Sequence, residues 1–237
     1  MTLKLPDFAG LDACIVDLDG TLVDTLGDFE VALNHMLATL DRPPVNRELI
    51  EQLVGKGSEH LIRSVLTHVE EQRGVAGFVP PDDLFQRAWS AYQQHYLAIN
   101  GRHSMVYPGV TEGLSALQAS GLRLACLTNK PTGFARPLLR AKGLEGFFSH
   151  VFGGDAFARK KPDPLPLLKT CDALGSEPAR TQMLGDSSND ALAARAAGCP
   201  VVLVSYGYNH GLPVRTVDAD GYLDSLDGLA AWLGQRR

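Results

Sequence analysis

The chain has little that would tie it to an oxidising compartment, a membrane or a nucleic acid. Its four cysteines, Cys14, Cys126, Cys171 and Cys199, are scattered over 237 residues with no closely spaced pair. Neither a disulfide framework nor a zinc site is expected, and buried reduced thiols are the better reading. No apolar run approaches the roughly 20 residues of a membrane helix. The opening Met1-Thr2-Leu3-Lys4-Leu5-Pro6 lacks the charged-then-apolar order of a signal peptide, so a cytoplasmic protein without membrane contact is expected. Basic charge is not in excess either: 22 Lys and Arg stand against 27 Asp and Glu, a net charge of −5. That leaves no electrostatic footprint for nucleic acid, and an anionic substrate would have to be held by a few placed cations. Internal repeats and low-complexity segments are missing as well.

What is present describes a globular protein. Apolar residues make up 45% and charged residues 21%, a composition that argues against disorder. The length suffices for one good core with a smaller insert.

The first apolar run, Ala13-Cys14-Ile15-Val16, is followed at once by Asp17-Leu18-Asp19-Gly20-Thr21. Alternate residues of a strand point to opposite faces, so two acids two apart converge above the strand end only if the chain breaks into a turn there. Gly20 supplies the break, since glycine tolerates positive φ and lets a ligand approach the backbone. In an open α/β sheet, the carboxyl ends of the strands are where ligands bind.

From Thr25 to about His103 the pattern is helical, with no strand. Asp24 and Thr25 can cap a first helix carrying Phe29, Leu33, Met36, Leu37 and Leu40 at helical spacing, and Pro43-Pro44 stops it. Asn46 can cap a second, Ser58 can open a third, and a fourth runs from Asp82 to Asn100 with Gly101 as its stop. Alternation then resumes: helix Thr111 to Ser120, strand Leu122 to Leu127, helix Thr132 to Lys142, strand Val151 to Gly153, helix Asp163 to Leu174. Strand Gln182 to Leu184, helix Asn189 to Ala197 and strand Val201 to Val204 follow, and Tyr222-Leu223 and Leu226 to Leu233 offer a last strand and helix. This predicts a doubly wound parallel α/β sheet formed by residues 1–22 and 105–237. Residues 23–104 read as an all-helical insert placed directly after the acidic turn, a natural lid.

Three later strand ends carry chemistry of their own. Thr128-Asn129-Lys130 offers a hydroxyl and amides suited to a phosphoryl oxygen. Lys160-Lys161-Pro162-Asp163-Pro164 places cations before a helix, and Lys161, fixed ahead of Pro162, is the one expected inside. Gly185-Asp186-Ser187-Ser188-Asn189-Asp190 adds two more acids. Four carboxylates at one edge would raise one another's pKa until some took up protons, so a cation is implied. Oxygen-only ligands point to magnesium. Asp190 also suits a helix cap.

These stretches, in this order and each at a strand end, resemble the haloacid dehalogenase superfamily of phosphatases, and the resemblance spans the chain. It implies that Asp17 is a nucleophile forming an aspartyl phosphate and that Asp19 is the general acid, starting protonated. Magnesium would then be held by Asp17, Asp19 through its carbonyl, and Asp186, with Asp190 in support. Thr128, Asn129 and Lys161 would hold the phosphoryl group. An acid two residues after the nucleophile argues for phosphoryl transfer over dehalogenation.

A finer resemblance, to the phosphoglycolate phosphatases, rests on Tyr107-Pro108-Gly109-Val110, Thr128 to Thr132, Gly153-Gly154-Asp155, Lys161 to Pro164 and Tyr206-Gly207-Tyr208-Asn209. It implies 2-phosphoglycolate as substrate, with Gly55, Lys56 and Gly57 in the insert reading its carboxylate. Asp163, Ser188 and Lys56 depart from that family's usual residues. A β-phosphoglucomutase-like transferase, a broad sugar-phosphate or nucleotide phosphatase, and a non-catalytic binding protein on the same fold stay open, as does the oligomeric state.

Overall fold

A computed structural model describes residues 10–229. Strand β1 (Ala13–Val16) leads into β2 (Val23–Asp24), helices α1 (Leu26–Thr39), α2 (Arg47–Leu53), α3 (Ser58–Gln72) and α4 (Asp82–Ile99), and then β3 (Met105–Val106). After these come α5 (Val110–Ala119), β4 (Arg123–Leu127), α6 (Thr132–Ala141), β5 (His150–Phe152), α7 (Leu165–Leu174), β6 (Thr181–Gly185), α8 (Ser188–Ala197), β7 (Val201–Val204) and β8 (Gly221–Leu223). Six strands form one sheet in the order β5-β4-β1-β6-β7-β8, and every pairing in it is parallel.

Both faces of β1 are buried, which is why its run is continuously apolar rather than alternating. Cys14 and Val16 pack with Leu114 of α5 and Leu138 of α6 on one side. Ala13 and Ile15 pack with Leu167 of α7 and Ala194 of α8 on the other. The expected doubly wound sheet is therefore what the chain forms. Val16 stands level with Cys126 of β4 and Leu184 of β6, so three strands end together where the chain order reverses, the usual place for a ligand crevice.

The four consecutive helices bury a separate apolar cluster that includes Leu33, Met36, Leu37, Ile62, Leu66, Tyr92 and Tyr96. Asn46 caps α2 as expected, accepting from the Leu49 amide at 3.1 Å. Thr25 does not cap α1 with its side chain; Asp24 accepts from Leu26 N instead, at 3.1 Å. Strands β2 and β3 pair antiparallel through Val23 with Val106 and Asp24 with Met105; at two residues each they carry no readable period in the sequence. Helix α7 starts two residues later than expected, since Pro164 occupies the cap position and Asp163 accepts from Leu165 N at 2.9 Å. Tyr222-Leu223 lies in β8, whereas residues 230–233 of the expected Leu226 to Leu233 helix and residues 1–9 fall outside the described residues. Among the described residues no helix is long and apolar enough to cross a membrane.

One buried acid ties the helical segment's two ends together. Asp28 is fully buried, and its carboxylate accepts from Gly101 N at 2.7 Å and His103 N at 2.8 Å. Gly27 beside it lies so close to the returning chain that a Cβ would sit 2.2 Å from the His103 carbonyl oxygen. Asp28→Ala removes two charge-assisted bonds and strands their donors, an expected loss of about 3 kcal/mol. Thermal unfolding should show a Tm lower by roughly 6–12 °C; a change within about 2 °C would mean that these bonds carry little of the fold's stability.

Candidate active site

The first acidic turn forms as its glycine requires. Gly20 has φ +82° and its amide donates to Val23 O, while the amides of Thr21, Leu22 and Val23 all donate to Leu18 O. The turn also brings its backbone against the later acids. A Cβ at Gly20 would lie 2.4 Å from Asp186 Oδ2, and one at Gly207 would lie 2.2 Å from Asp186 Cβ. No side chain fits at either position, so both glycines make room for the Asp186 carboxylate.

Asp17, Asp186 and Asp190 are buried and each offers an oxygen within 4.8 Å of the others. Lys161, itself buried, projects among them. Its Nζ donates to Asp190 Oδ1 at 2.7 Å and to Leu127 O at 2.9 Å, and it lies 2.9 Å from Asp17 Oδ1. The last contact is an ion pair without a well-directed hydrogen bond, and it leaves Asp17 Oδ1 buried with no hydrogen-bond partner. Burial pushes the Asp17 carboxyl from 3.8 up to about 7, Lys161 opposing the rise and Asp190 adding to it. Asp186 is pushed well above its ordinary range by burial and by the Asp190 and Asp17 charges. Burial alone would lower the Lys161 ammonium, but Asp17 and Asp190 hold it above its ordinary value. One ammonium therefore does not balance three buried carboxylates, and an all-oxygen donor set with an orphaned buried oxygen fits a hard divalent cation.

Asp190 caps and pairs at once. Its Oδ2 accepts from Asp186 N, Ser187 N and Ser187 Oγ at 3.3, 3.2 and 2.8 Å, closing a capping box at the start of α8, while Oδ1 takes Lys161. Both oxygens are thus engaged, one by the cap and one by Lys161, which Asp190 holds in the cluster. Asp186 is oriented by Tyr208 N, which donates to Oδ2 at 2.8 Å.

Asp19 does not join its neighbour. Its Oδ1 accepts from Thr25 Oγ1 at 2.8 Å, and both its oxygens accept from Lys130 Nζ, at 2.9 and 3.2 Å. Two acids two residues apart thus have separate partners, and the expected four-carboxylate cluster becomes a cluster of three with a distinct ion pair.

A cavity at this edge is lined by Asp17, Asp19, Thr128, Lys130, Lys161 and Asp186, and also by Gly55, Gly57 and Ser58 of the helical segment. Thr128 accepts from Lys130 N at 3.2 Å, which leaves its hydroxyl hydrogen free to donate. Asn129 lines the cavity too. Its amide nitrogen donates to Lys161 O at 2.8 Å and Gly55 O at 2.9 Å, and its oxygen accepts from Lys161 N at 3.0 Å. The side chain fixes the Lys161 peptide and the Gly55 loop. Lys56, by contrast, is exposed and absent from the cavity lining, while Gly55 and Gly57 contribute to it. Lys160 is exposed and Lys161 buried, as expected.

Several residues at the site carried no assigned role in the sequence. Lys130 stood in a recognised stretch, but nothing in its spacing says that it turns inward. The Tyr208 hydroxyl accepts from Thr25 N at 2.7 Å and donates to Asp24 Oδ1 at 2.9 Å, joining the loop after β7 to the start of α1. Asn189 Nδ2 donates to Gly55 O at 3.1 Å, and His210 Nδ1 donates to Val54 O at 2.9 Å. With Asn129, these bonds fasten the Val54-Gly55 loop to the sheet edge.

A parallel sheet whose switch point presents paired acids, a buried lysine and a hydroxyl from separate strand ends defines a site for an anionic substrate and a hard cation. The chain belongs to the haloacid dehalogenase-like hydrolases, whose family profile matches residues 14–204. Among curated relatives it is 44% identical over 216 residues to a phosphoglycolate phosphatase of Thiobacillus denitrificans, covering 91% of this chain and 92% of the relative. It is 42% identical over 236 residues to a plasmid phosphoglycolate phosphatase of Cupriavidus necator, covering 100% and 97%. Among solved structures it is similar to a predicted phosphoglycolate phosphatase from Haemophilus somnus, with a TM-score of 0.89 at 32% identity over 94% of this chain and 98% of the other.

Proposed function

We propose that the protein is a magnesium-dependent phosphatase that hydrolyses a small phosphate monoester, foremost 2-phosphoglycolate, to glycolate and phosphate through an aspartyl phosphate on Asp17. The observation that carries this reading is the division between Asp17, in the carboxylate cluster beside Lys161, and Asp19, held apart on Thr25 and Lys130. The substrate follows the activity named for the relatives. Residues 23–104 serve as a cap on residues 1–22 and 105–237. Four free, buried cysteines accord with a reducing, cytoplasmic setting.

In the first step a carboxylate oxygen of Asp17 attacks phosphorus as the ester P–O bond breaks, and Asp19, which must first take up a proton in exchange for its ion pair with Lys130, passes that proton to the departing alkoxide. In the second, Asp19 takes a proton from water as the water oxygen attacks phosphorus, releasing phosphate and restoring the Asp17 carboxylate. Lys161 and the Thr128 hydroxyl stabilise the charge on the phosphoryl oxygens, the main demand of phosphoryl transfer. Asp17, the Asp19 carbonyl and Asp186 would hold magnesium, with Asp190 in support, and the ion would supply charge neutralisation at the phosphoryl group. Asp190 and Asn129 keep Lys161 in place.

A phosphate-release screen over small phosphate esters, with and without magnesium, tests the reading. Magnesium-dependent release with 2-phosphoglycolate among the best substrates by kcat/KM is expected; a preference for other esters, or glucose-phosphate isomerisation, would overturn the substrate. Stability gives a second check. Because Asp17 is raised from 3.8 to about 7 in the folded, metal-free protein, the folded state binds more protons than the unfolded state between those values. Stability without metal should therefore fall as pH rises through that window and stay low above it. Tm in excess chelator should be lower at pH 7.5 than at pH 5, and added magnesium should raise it more at pH 7.5. An equal magnesium shift at both pH values would contradict this linkage.

A further inference from the structure

With Lys56 outside the cavity, the cation that meets a substrate carboxylate has to be found elsewhere. Among the described residues lining the cavity, two carry an ammonium group, Lys130 and Lys161. Lys161 already faces three oxygens, on Asp17, Asp190 and Leu127. Lys130 has one anionic partner, Asp19. The rest of its head rests on aromatic faces, 4.4 Å from the Phe29 ring centre and 4.8 Å from that of Tyr96. Its side chain is 1% exposed, so water does not compete for the charge, and an anion brought into contact is held more strongly than at a surface.

We propose that Lys130 is the residue that selects a substrate bearing a carboxylate beside its ester oxygen. The inference rests on the reading of Asp19 as the acid that serves that oxygen. Proton transfer requires an Asp19 oxygen within about 2.6–3.2 Å of the ester oxygen, and Lys130 Nζ lies 2.9 and 3.2 Å from the two Asp19 oxygens. In 2-phosphoglycolate a single methylene separates the ester oxygen from the carboxyl carbon. An ester bound so that Asp19 reaches its oxygen therefore carries its carboxylate into the neighbourhood of the Lys130 ammonium. An ester ending in methyl at that position offers the ammonium nothing, and a longer acid carries its charge past it. The aromatic pair contributes shape as well, since Phe29 lines the same cavity.

The test compares kcat/KM for 2-phosphoglycolate and for ethyl phosphate, which replaces the carboxylate by methyl, in the wild type, Lys130→Met and Lys130→Arg. Loss of the Asp19 partner lowers both rates in Lys130→Met, whereas loss of carboxylate recognition lowers only the first. The ratio of the two is expected to fall by about 10- to 100-fold, the range for a hydrogen bond between charged groups. Lys130→Arg, which keeps the charge, should retain most of the ratio; Lys130→Gln serves with the same expectation if the methionine variant does not fold. A wild-type preference for 2-phosphoglycolate that survives unchanged in the Met or Gln variant overturns the inference and leaves the substrate reading standing. A wild type without that preference overturns both.

Discussion

Asp17→Asn is expected to abolish turnover, with kcat lower by on the order of 10⁴- to 10⁶-fold, as when a nucleophile is removed. The amide keeps the shape of the carboxylate but has no charge with which to attack phosphorus. The same substitution should make the metal-free protein more stable at pH 8. There the wild-type Asp17 carries its full charge in a buried site that pushes its carboxyl up to about 7, and the neutral amide escapes that penalty. Near pH 4 the wild-type carboxyl is protonated in the folded state, so the gain should vanish. An inactive variant with a raised Tm in chelator at pH 8 is the signature of a residue kept for chemistry at the expense of stability. Measurable turnover by Asp17→Asn, once wild-type contamination is excluded, would end the nucleophile assignment.

Lys161→Met should be the most damaging single change to the fold of the site. Its side chain is 2% exposed and faces Asp17 and Asp190, so its loss leaves two buried carboxylates without their cation, a cost of about 3–5 kcal/mol. For a chain of this size that corresponds to a Tm lower by roughly 6–20 °C. The rate should fall too, by about 10²- to 10³-fold, the usual effect of deleting one group that stabilises transition-state charge. Adding Asp190→Asn should return part of the lost stability, because it removes one of the stranded charges, but none of the rate. If the single variant melts with the wild type, the ion pairs contribute far less than their burial implies.

The strand ends were legible because they combine two strong local signals, a continuous apolar run and an abrupt polar turn. Val16 to Asp17, Leu127 to Thr128 and Leu184 to Asp186 all read this way, and the parallel sheet then brings them level. Gly20 was legible because a positive φ has a residue type attached to it. The direction of side chains in loops was not legible. Asn129 and Lys130 are neighbours, yet one turns back to clasp the Lys161 peptide and the other crosses to Asp19. Lys56, in a glycine loop that does reach the cavity, is exposed and not part of its lining. Nothing in a dipeptide fixes such choices, which depend on the partners the fold supplies. Asp28 was hidden for the same reason: an acid in a first helical turn is ordinary, and its bonds to Gly101 and His103 span more than seventy residues.

Asp19→Asn, assayed with p-nitrophenyl phosphate, isolates the covalent step on Asp17. Nitrophenolate departs without a proton, so the first step should proceed in this variant, while the second lacks its base. A burst of nitrophenolate equal to the enzyme concentration is expected, followed by slow turnover. Mass spectrometry of the acid-quenched protein should then find one phosphoryl group on the peptide carrying Asp17. A burst with the phosphoryl group on another residue, or turnover with no burst and an unmodified Asp17, would contradict the mechanism.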